Sequence, residues 1–237
     1  MMTANPFAVD INDLTYAYKN GPKVLDIAAI QIAAGEHIFL HGPSGSGKTT
    51  LLGLLAGILV PQGGSLQVLG QDLAALRSAQ RDRFRSSHVG YIFQIFNLIP
   101  YLNVRENITL PCHLSQERKM RLGALTPDEA AFALSRQLNI ASLLDRPVTE
   151  LSVGQQQRVA AARALIGAPE FIIADEPTSA LDSNRRQEFI ELLFAAADQA
   201  KATILFVSHD HSLAPLFTRN LSLLDLNRAS RSGEVDA

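Results

Sequence analysis

Residues 9–18 mix apolar and polar positions in strand-like fashion, and Asn20-Gly21-Pro22 is turn chemistry before a second strand candidate over 27–32. Ala34-Gly35 leads into a short apolar run, Ile38-Phe39-Leu40, then a glycine-rich stretch and the helix-like Thr50-Leu51-Leu52-Gly53-Leu54-Leu55. Beyond Gln62-Gly63-Gly64 the pattern predicts a strand over 65–69, a turn at Gly70-Gln71-Asp72, a polar, basic helix over 77–85 and a buried strand over 89–93. From about 95 to 166 the character is helical. Thr126-Pro127-Asp128-Glu129 is a strong helix start, with Thr as N-cap, Pro at the first helical position and Glu placed to close a capping box. After Gly167-Ala168-Pro169 come a strand over 171–174, a helix over 188–197 and strands over 203–207 and 221–226, with a polar tail, 227–237, expected to fray. Strands alternating with helices imply an α/β fold around a parallel sheet, preceded by a small antiparallel layer.

Composition narrows the class. At 237 residues, 47% hydrophobic and 19% charged, the chain can bury a sizeable core. A net charge of −2 argues against a broad nucleic-acid footprint, and no nucleic-acid partner is expected. The single cysteine, Cys112, cannot form an internal disulfide and reads as a packing residue in a reducing compartment. The apolar run 51–60 falls short of the ~20 residues of a spanning helix, and the N-terminus lacks signal-peptide character, so a cytoplasmic chain is expected.

The chemistry is concentrated in two places. Gly42-Pro43-Ser44-Gly45-Ser46-Gly47-Lys48-Thr49 fits G-x-x-x-x-G-K-[ST] between a strand and a helix. Glycines let the backbone approach an anion, successive N–H groups converge on a polyphosphate, Lys48 reaches the β- and γ-phosphates, and the Thr49 hydroxyl ligates Mg²⁺. Thr50, at the head of the following helix, joins that ATP-binding set. Phe171-Ile172-Ile173-Ala174-Asp175-Glu176 is an apolar strand ending in adjacent carboxylates, where ligands of parallel sheets bind. Asp175 suits Mg²⁺, directly or through water, and Glu176 suits a general base on the attacking water.

Leu151-Ser152-Val153-Gly154-Gln155-Gln156-Gln157-Arg158 is a second S-x-x-Q helix start whose Gly154 lets the first turn come close to an anion. This stretch resembles the LSGGQ signature of ATP-binding-cassette (ABC) ATPases. The resemblance implies a P-loop NTPase (RecA-like) core with an N-terminal antiparallel β layer and an inserted α-helical subdomain. It makes 1–237 one ABC ATPase domain, with a core lobe from 1–94 and 167–237 and a helical insert over 95–166. It further implies a homodimer, in which Ser152, Gly154 and Gln155 of one copy cap the γ-phosphate held by the P-loop of the other. Gln94 matches the Q-loop glutamine, near ATP and the metal; Ser179-Ala180-Leu181-Asp182 matches the D-loop; His209 matches the switch histidine on the γ-phosphate. Glu176, His209 and Lys48 are thus the implied catalytic residues. An aromatic of the first strand stacks on adenine in this family, and Tyr18, nearer the strand end than Tyr16, is the choice. Val153 departs from the signature's first glycine.

The stretch 94–108 is similar to that of the lipoprotein-release, macrolide-export and DevA-like ATPases, the LolD/MacB branch. That implies an integral membrane permease contacting the region after Gln94, through Phe96, Leu98, Ile99 or Tyr101, and a place on the cytoplasmic face of the membrane. A non-transport, FtsE-like ATPase acting on a cell-wall complex is the alternative.

Overall fold

The computed structural model describes residues 6–19, 21–179 and 181–229. Asn20 of the first predicted turn, Ala180 of the D-loop stretch and 230–237 of the tail lie outside them. In chain order the elements are β1 (Phe7–Ala17), β2 (Lys23–Ala33), β3 (His37–His41), α1 (Lys48–Leu55), β4 (Gly63–Val68), β5 (Gln71–Asp72), α2 (Ser78–His88) and β6 (Val89–Ile92). Then follow α3 (Val104–Leu114), α4 (Gln116–Arg121), α5 (Pro127–Gln137), α6 (Val153–Leu165), β7 (Phe171–Asp175), α7 (Ser183–Ala200), β8 (Thr203–Val207), β9 (Arg219–Ser222) and α8 (Leu223–Leu226). Two compact units result: Met1–Arg85 with Leu205–Ala237, and Ser86–Ile204. The divisions fall inside α2 and β8.

In the first unit, β2-β1-β4-β5 form an antiparallel sheet, and β1 pairs with β2 in a register that sets Tyr16 opposite Leu25. Val9 and Ile11 of β1 and Leu25 and Ile27 of β2 are fully buried at alternate positions, and left-handed Asp13 (φ 48°) with a register shift beyond Asn12 brings Leu14 into the buried set as well. β3 pairs in parallel with β9, Ile38 opposite Arg219 and His41 opposite Ser222. The apolar run 221–226 is only partly a strand. Leu221 and Ser222 end β9, and Ser222 then caps α8, its side chain accepting from the Asp225 amide. A short apolar run carries no period that separates the two outcomes. The tail differs as well: Asn227 is 0% exposed and bridges to Ile27 of β2, so fraying cannot begin there.

In the second unit β6 and β7 pair in parallel, Val89 opposite Phe171 and Ile92 opposite Ala174. Gly90 admits α6 at close range, since a Cβ there would stand 2.3 Å from the Ala164 carbonyl oxygen. The helices of this unit start where their caps predict. Thr126 and Ser152 both close capping boxes, with Glu129 and Gln155; Asn103 closes a third with Glu106. Arg118 is buried at the junction of these pieces, its guanidinium donating to the carbonyls of Ser86, Val89, Ala164 and Ile166. Burial holds its pKa down to about 10, still protonated at neutral pH. Among the described residues no helix is long and apolar enough to cross a membrane.

Candidate nucleotide site

Each unit carries part of the candidate machinery. In the first unit, β3 delivers its C-terminal end to the loop 42–47, and α1 starts at Lys48 with Gly47 as N-cap in the left-handed region, φ 97°. Only glycine adopts that conformation without strain, and here space also demands it. A Cβ on Gly47 would lie 2.7 Å from Leu25 Cδ2, and one on Gly42 2.8 Å from Ser46 Oγ. The result is a turn whose N–H groups sit at a helix N-terminus with no acidic residue in the first turn, the arrangement that favours an anion. Ser46 Oγ is buried and has no hydrogen-bond partner among the described residues. A polar atom in that condition is expected to find a ligand or solvent partner. Lys48 Nζ donates to the Gly42 and Pro43 carbonyls at 2.7 and 2.9 Å, so its ammonium lies along the loop it is expected to serve.

The other first-unit candidates lie on α1, just after β1 and in the segment after β8. Thr50 is buried, and its Oγ1 lies 3.1 Å from the Tyr18 hydroxyl. Tyr18 is half exposed, with its ring edge-on to buried Tyr16 at 5.1 Å between centroids. Tyr16 thus packs, and Tyr18 is the aromatic with a face to offer. His209 is exposed beyond the end of β8, and the Ser208 amide donates to Leu40 of β3 at 3.2 Å, which sets this segment beside the strand that feeds the loop. His41 ends β3, 4.5 Å from the His211 ring; burial, then the neighbouring His211, pushes its pKa down against the pull of Asp225.

In the second unit Asp175 ends β7 and Glu176 follows with φ 48°, a left-handed conformation that costs a non-glycine residue about 1 kcal/mol or more. The turn is held from within by Ser179 N to Glu176 O at 3.3 Å and Leu181 N to Thr178 O at 3.1 Å. It is held from α6 by buried Gln157, whose Nε2 donates to the Pro177 carbonyl at 2.9 Å. Gln157 Oε1 is buried with no hydrogen-bond partner among the described residues. The Tyr91 hydroxyl bonds to Asp175; burial, then that carboxylate, pushes the phenol well above its usual range, which keeps it a donor.

Ser152 caps α6: Gln155 N donates to its Oγ at 3.4 Å while Ser152 N donates to Gln155 Oε1 at 2.9 Å. Val153 is the first helical residue and exposed, so a β-branched side chain fits there with no left-handed backbone asked of it. Gly154 differs from the loop glycines. A Cβ on it would meet only Leu181 Cδ2 at 3.7 Å, an ordinary contact. Asn139, Gln157, Arg158, Arg185 and Phe189 join Ser152 and Gly154 around a cavity of about 300 Å³.

Gln94 is exposed at the turn after β6. Beyond it Phe96 and Asn97 are both left-handed, φ 58° and 48°, and Arg163 of α6 clamps them by donating to their carbonyls at 2.6 and 2.7 Å. Phe96 is only 7% exposed and faces inward, so it is not an open contact residue; Tyr101 at 83% is, and Ile95 at 79% joins it. Asn107, fully buried, accepts from Ile99 N and donates to the carbonyls of Ile99, Leu102 and Asn103. Neither Arg163 nor Asn107 stands out by residue type.

A glycine cradle at a helix N-terminus, with its lysine and a strand-end carboxylate pair, defines the class: a P-loop nucleotide-binding protein of mixed parallel and antiparallel α/β fold. The family model described as ABC transporter matches residues 25–179. The chain is 37% identical over 220 residues to the lipoprotein-releasing system ATP-binding protein LolD 2 of Rhodospirillum rubrum, covering 92% of this chain and 94% of that one. It is 36% identical over 206 residues to the bacitracin export ATP-binding protein BceA of Halalkalibacterium halodurans, covering 87% and 79%. Among solved structures it is similar to the dimeric, post-hydrolysis ATP-binding cassette MJ0796 bound to ADP and Pi, with a TM-score of 0.80, 30% identity and 94% and 95% of the two chains covered. The chain belongs to the ABC transporter family, as an ATP-binding subunit of the LolD-like branch.

Proposed function

We propose that this chain binds and hydrolyses ATP as a homodimer and drives a membrane permease of export or lipoprotein-release type. The observation that carries the proposal is the loop ahead of α1: a left-handed Gly47 that no side chain can replace, an orphaned Ser46 Oγ and Lys48 lying along the loop. In this reading Gly42, Pro43, Ser44, Gly45, Ser46, Gly47, Lys48, Thr49 and Thr50 hold the phosphates, and Tyr18 stacks on the adenine. Glu176 takes the proton from the attacking water as general base, a role worth about 10²–10⁴ in rate. His209 and Lys48 hold the γ-phosphate.

Thr49, Gln94 and Asp175 offer a hydroxyl, an amide oxygen and a carboxylate, an all-oxygen donor set that fits Mg²⁺ rather than a softer metal. No cluster of three or more His, Cys, Asp or Glu side chains exists among the described residues to hold a metal unaided, which agrees with a cation shared with phosphate oxygens. The ion would neutralise charge on the transferring phosphoryl group.

Gly154 supports completion of the site by a second copy. In a helix glycine costs up to about 1 kcal/mol relative to alanine, and among the described residues a Cβ there would meet only Leu181 Cδ2, at an ordinary 3.7 Å, so a partner's phosphate is the natural reason for it. Residues 95–166 then serve as the helical subdomain, with Ile95, Leu98, Ile99 and Tyr101 against the permease. A groove of about 260 Å³ lined in part by Ile95, Leu98, Pro100 and Gln156 lies there. The subunit sits on the cytoplasmic face through that partner.

Glu176→Gln tests the assignment. ATP binding is expected to survive, hydrolysis to fall by about 10²–10⁴, and an ATP-dependent dimer to accumulate in light scattering. Turnover near that of the unaltered chain rejects Glu176 as the base.

A further inference from the structure

Asn227 lies beyond every motif above in chain order, yet it is 0% exposed and its amide is fully engaged. Nδ2 donates to the Val24 carbonyl at 2.8 Å and to the Ser46 carbonyl at 3.1 Å; Oδ1 accepts from Asp26 N at 2.8 Å and Ala229 N at 3.2 Å. A primary amide has two donors and one acceptor oxygen, and here each is used inside the protein. Among side chains of this size, only asparagine presents both functions in one planar group.

The Ser46 carbonyl gives this contact its meaning. The carbonyl of Ser46 and the N–H of Gly47 belong to one rigid trans peptide and point in opposite directions. Tying the carbonyl to Asn227 therefore turns the Gly47 N–H away from Asn227. Gly47 is the residue that enters α1 at φ 97° and is backed by Leu25 and the Val24 carbonyl. Asn227 binds the same Val24 carbonyl and the neighbouring Asp26 amide, so β2 and the loop are clamped to each other through one side chain. Arg228 reinforces the clamp from outside, 2.6 Å from Asp26.

We infer that Asn227 is a positioning residue for the nucleotide: it fixes the 46–47 peptide so that the Gly47 N–H faces the phosphates. The inference rests on the reading of 42–49 as the phosphate-binding loop. Asn227 touches no reacting group, so it sets affinity and leaves the chemical step alone.

The test uses the purified full chain with Mg²⁺ and a fluorescent ATP analogue carrying a methylanthraniloyl group, with thermal midpoints measured alongside. Asn227→Ala is expected to weaken analogue binding about tenfold, the worth of roughly one to two lost hydrogen bonds. KM for ATP should rise in proportion, with kcat within about twofold. Asn227→Asp sets a carboxylate against two carbonyls. Its affinity relative to the unaltered chain should be poorest at high pH and improve as the pH is lowered toward 6, where protonation restores a donor. A folded Asn227→Ala protein with unchanged Kd overturns the inference, as does a lowered midpoint with no change in Kd. Where Asn227→Ala does not fold, Asn227→Asp decides: a flat affinity ratio across pH overturns it. Lys48→Ala keeps the two ideas apart, because undiminished analogue binding by that variant refutes the loop assignment itself.

Discussion

Replacing Gln157 with leucine should separate hydrolysis from stability. The side chain is fully buried, with one end bonded to the Pro177 carbonyl and the other, Oε1, without a hydrogen-bond partner among the described residues. Leucine has similar bulk and no polar atoms. It deprives the Pro177 carbonyl of this donor, a cost of about 1–3 kcal/mol, and removes an unpaired buried oxygen, a gain of about the same size. The two nearly cancel, so the melting midpoint should move by no more than a few degrees. The turn is another matter. Glu176 is held left-handed at a cost of about 1–3 kcal/mol, which persists only while the surroundings enforce it. The Gln157 bond is the restraint that reaches this turn from α6. Losing about 1–2 kcal/mol of that enforcement should lower kcat roughly 5- to 30-fold, with ATP affinity little changed. Steady-state hydrolysis, analogue binding and a thermal melt on the same preparation measure all three quantities. A stable Gln157→Leu protein that turns over within twofold of the original would refute the reasoning.

Arg118→Met leaves four carbonyls, three of them in buried bonds, without this donor. At about 1–3 kcal/mol for an unsatisfied buried group, a loss of several kcal/mol, or roughly 10 °C in a chain of this length, should appear in calorimetry. Asp26 predicts an acid effect. Hydrogen bonding from Arg228, aided by Lys23 and opposed by burial, holds its carboxyl below the usual range. A depressed folded-state pKa stabilises above the unfolded value of about 3.9, and the benefit is lost as pH falls through the folded value. Asp26→Asn should therefore flatten the acid limb of the stability–pH curve and leave its slope near neutrality as it was; an unaltered acid limb counts against the pairing.

What could be read from the chain alone was what neighbouring residues decide. Thr126 and Ser152 announce their helices because the partner of each cap is three residues away, and β1 and β2 show themselves as strand-like stretches on either side of the Asn20-Gly21-Pro22 turn signal. The loop 42–49 is legible for the same reason, its cradle being built from consecutive residues. Arg118, Arg163 and Asn227 were missed because they bind backbone groups of distant segments, and Asn107 because its partners, though nearby, are backbone groups too; a carbonyl or amide has no sequence identity. Asn227 and Ser46 are 181 positions apart. Phe96, offered with three others as a permease contact from the family resemblance, lies inward, as its residue type favours, on a left-handed turn held by Arg163 from α6. Leu221–Leu226 failed as a strand on the cap at Ser222.

The glycines divide along the same line, and that division argues for a two-chain site. Gly42 and Gly47 answer to their own chain as well as to any ligand: a Cβ at either would strike Ser46 or Leu25. Gly154 has ordinary room above it and a helical backbone, so among the described residues neither sterics nor conformation calls for glycine. Alanine there would favour α6 by about 1 kcal/mol. If a partner's nucleotide is what keeps the residue bare, Gly154→Ala should raise the melting midpoint of the nucleotide-free chain while lowering ATP-dependent dimerisation and hydrolysis. A variant that is more stable and equally active would leave Gly154 with no role in closing the site, and with it would go the strongest structural reason for expecting the second copy.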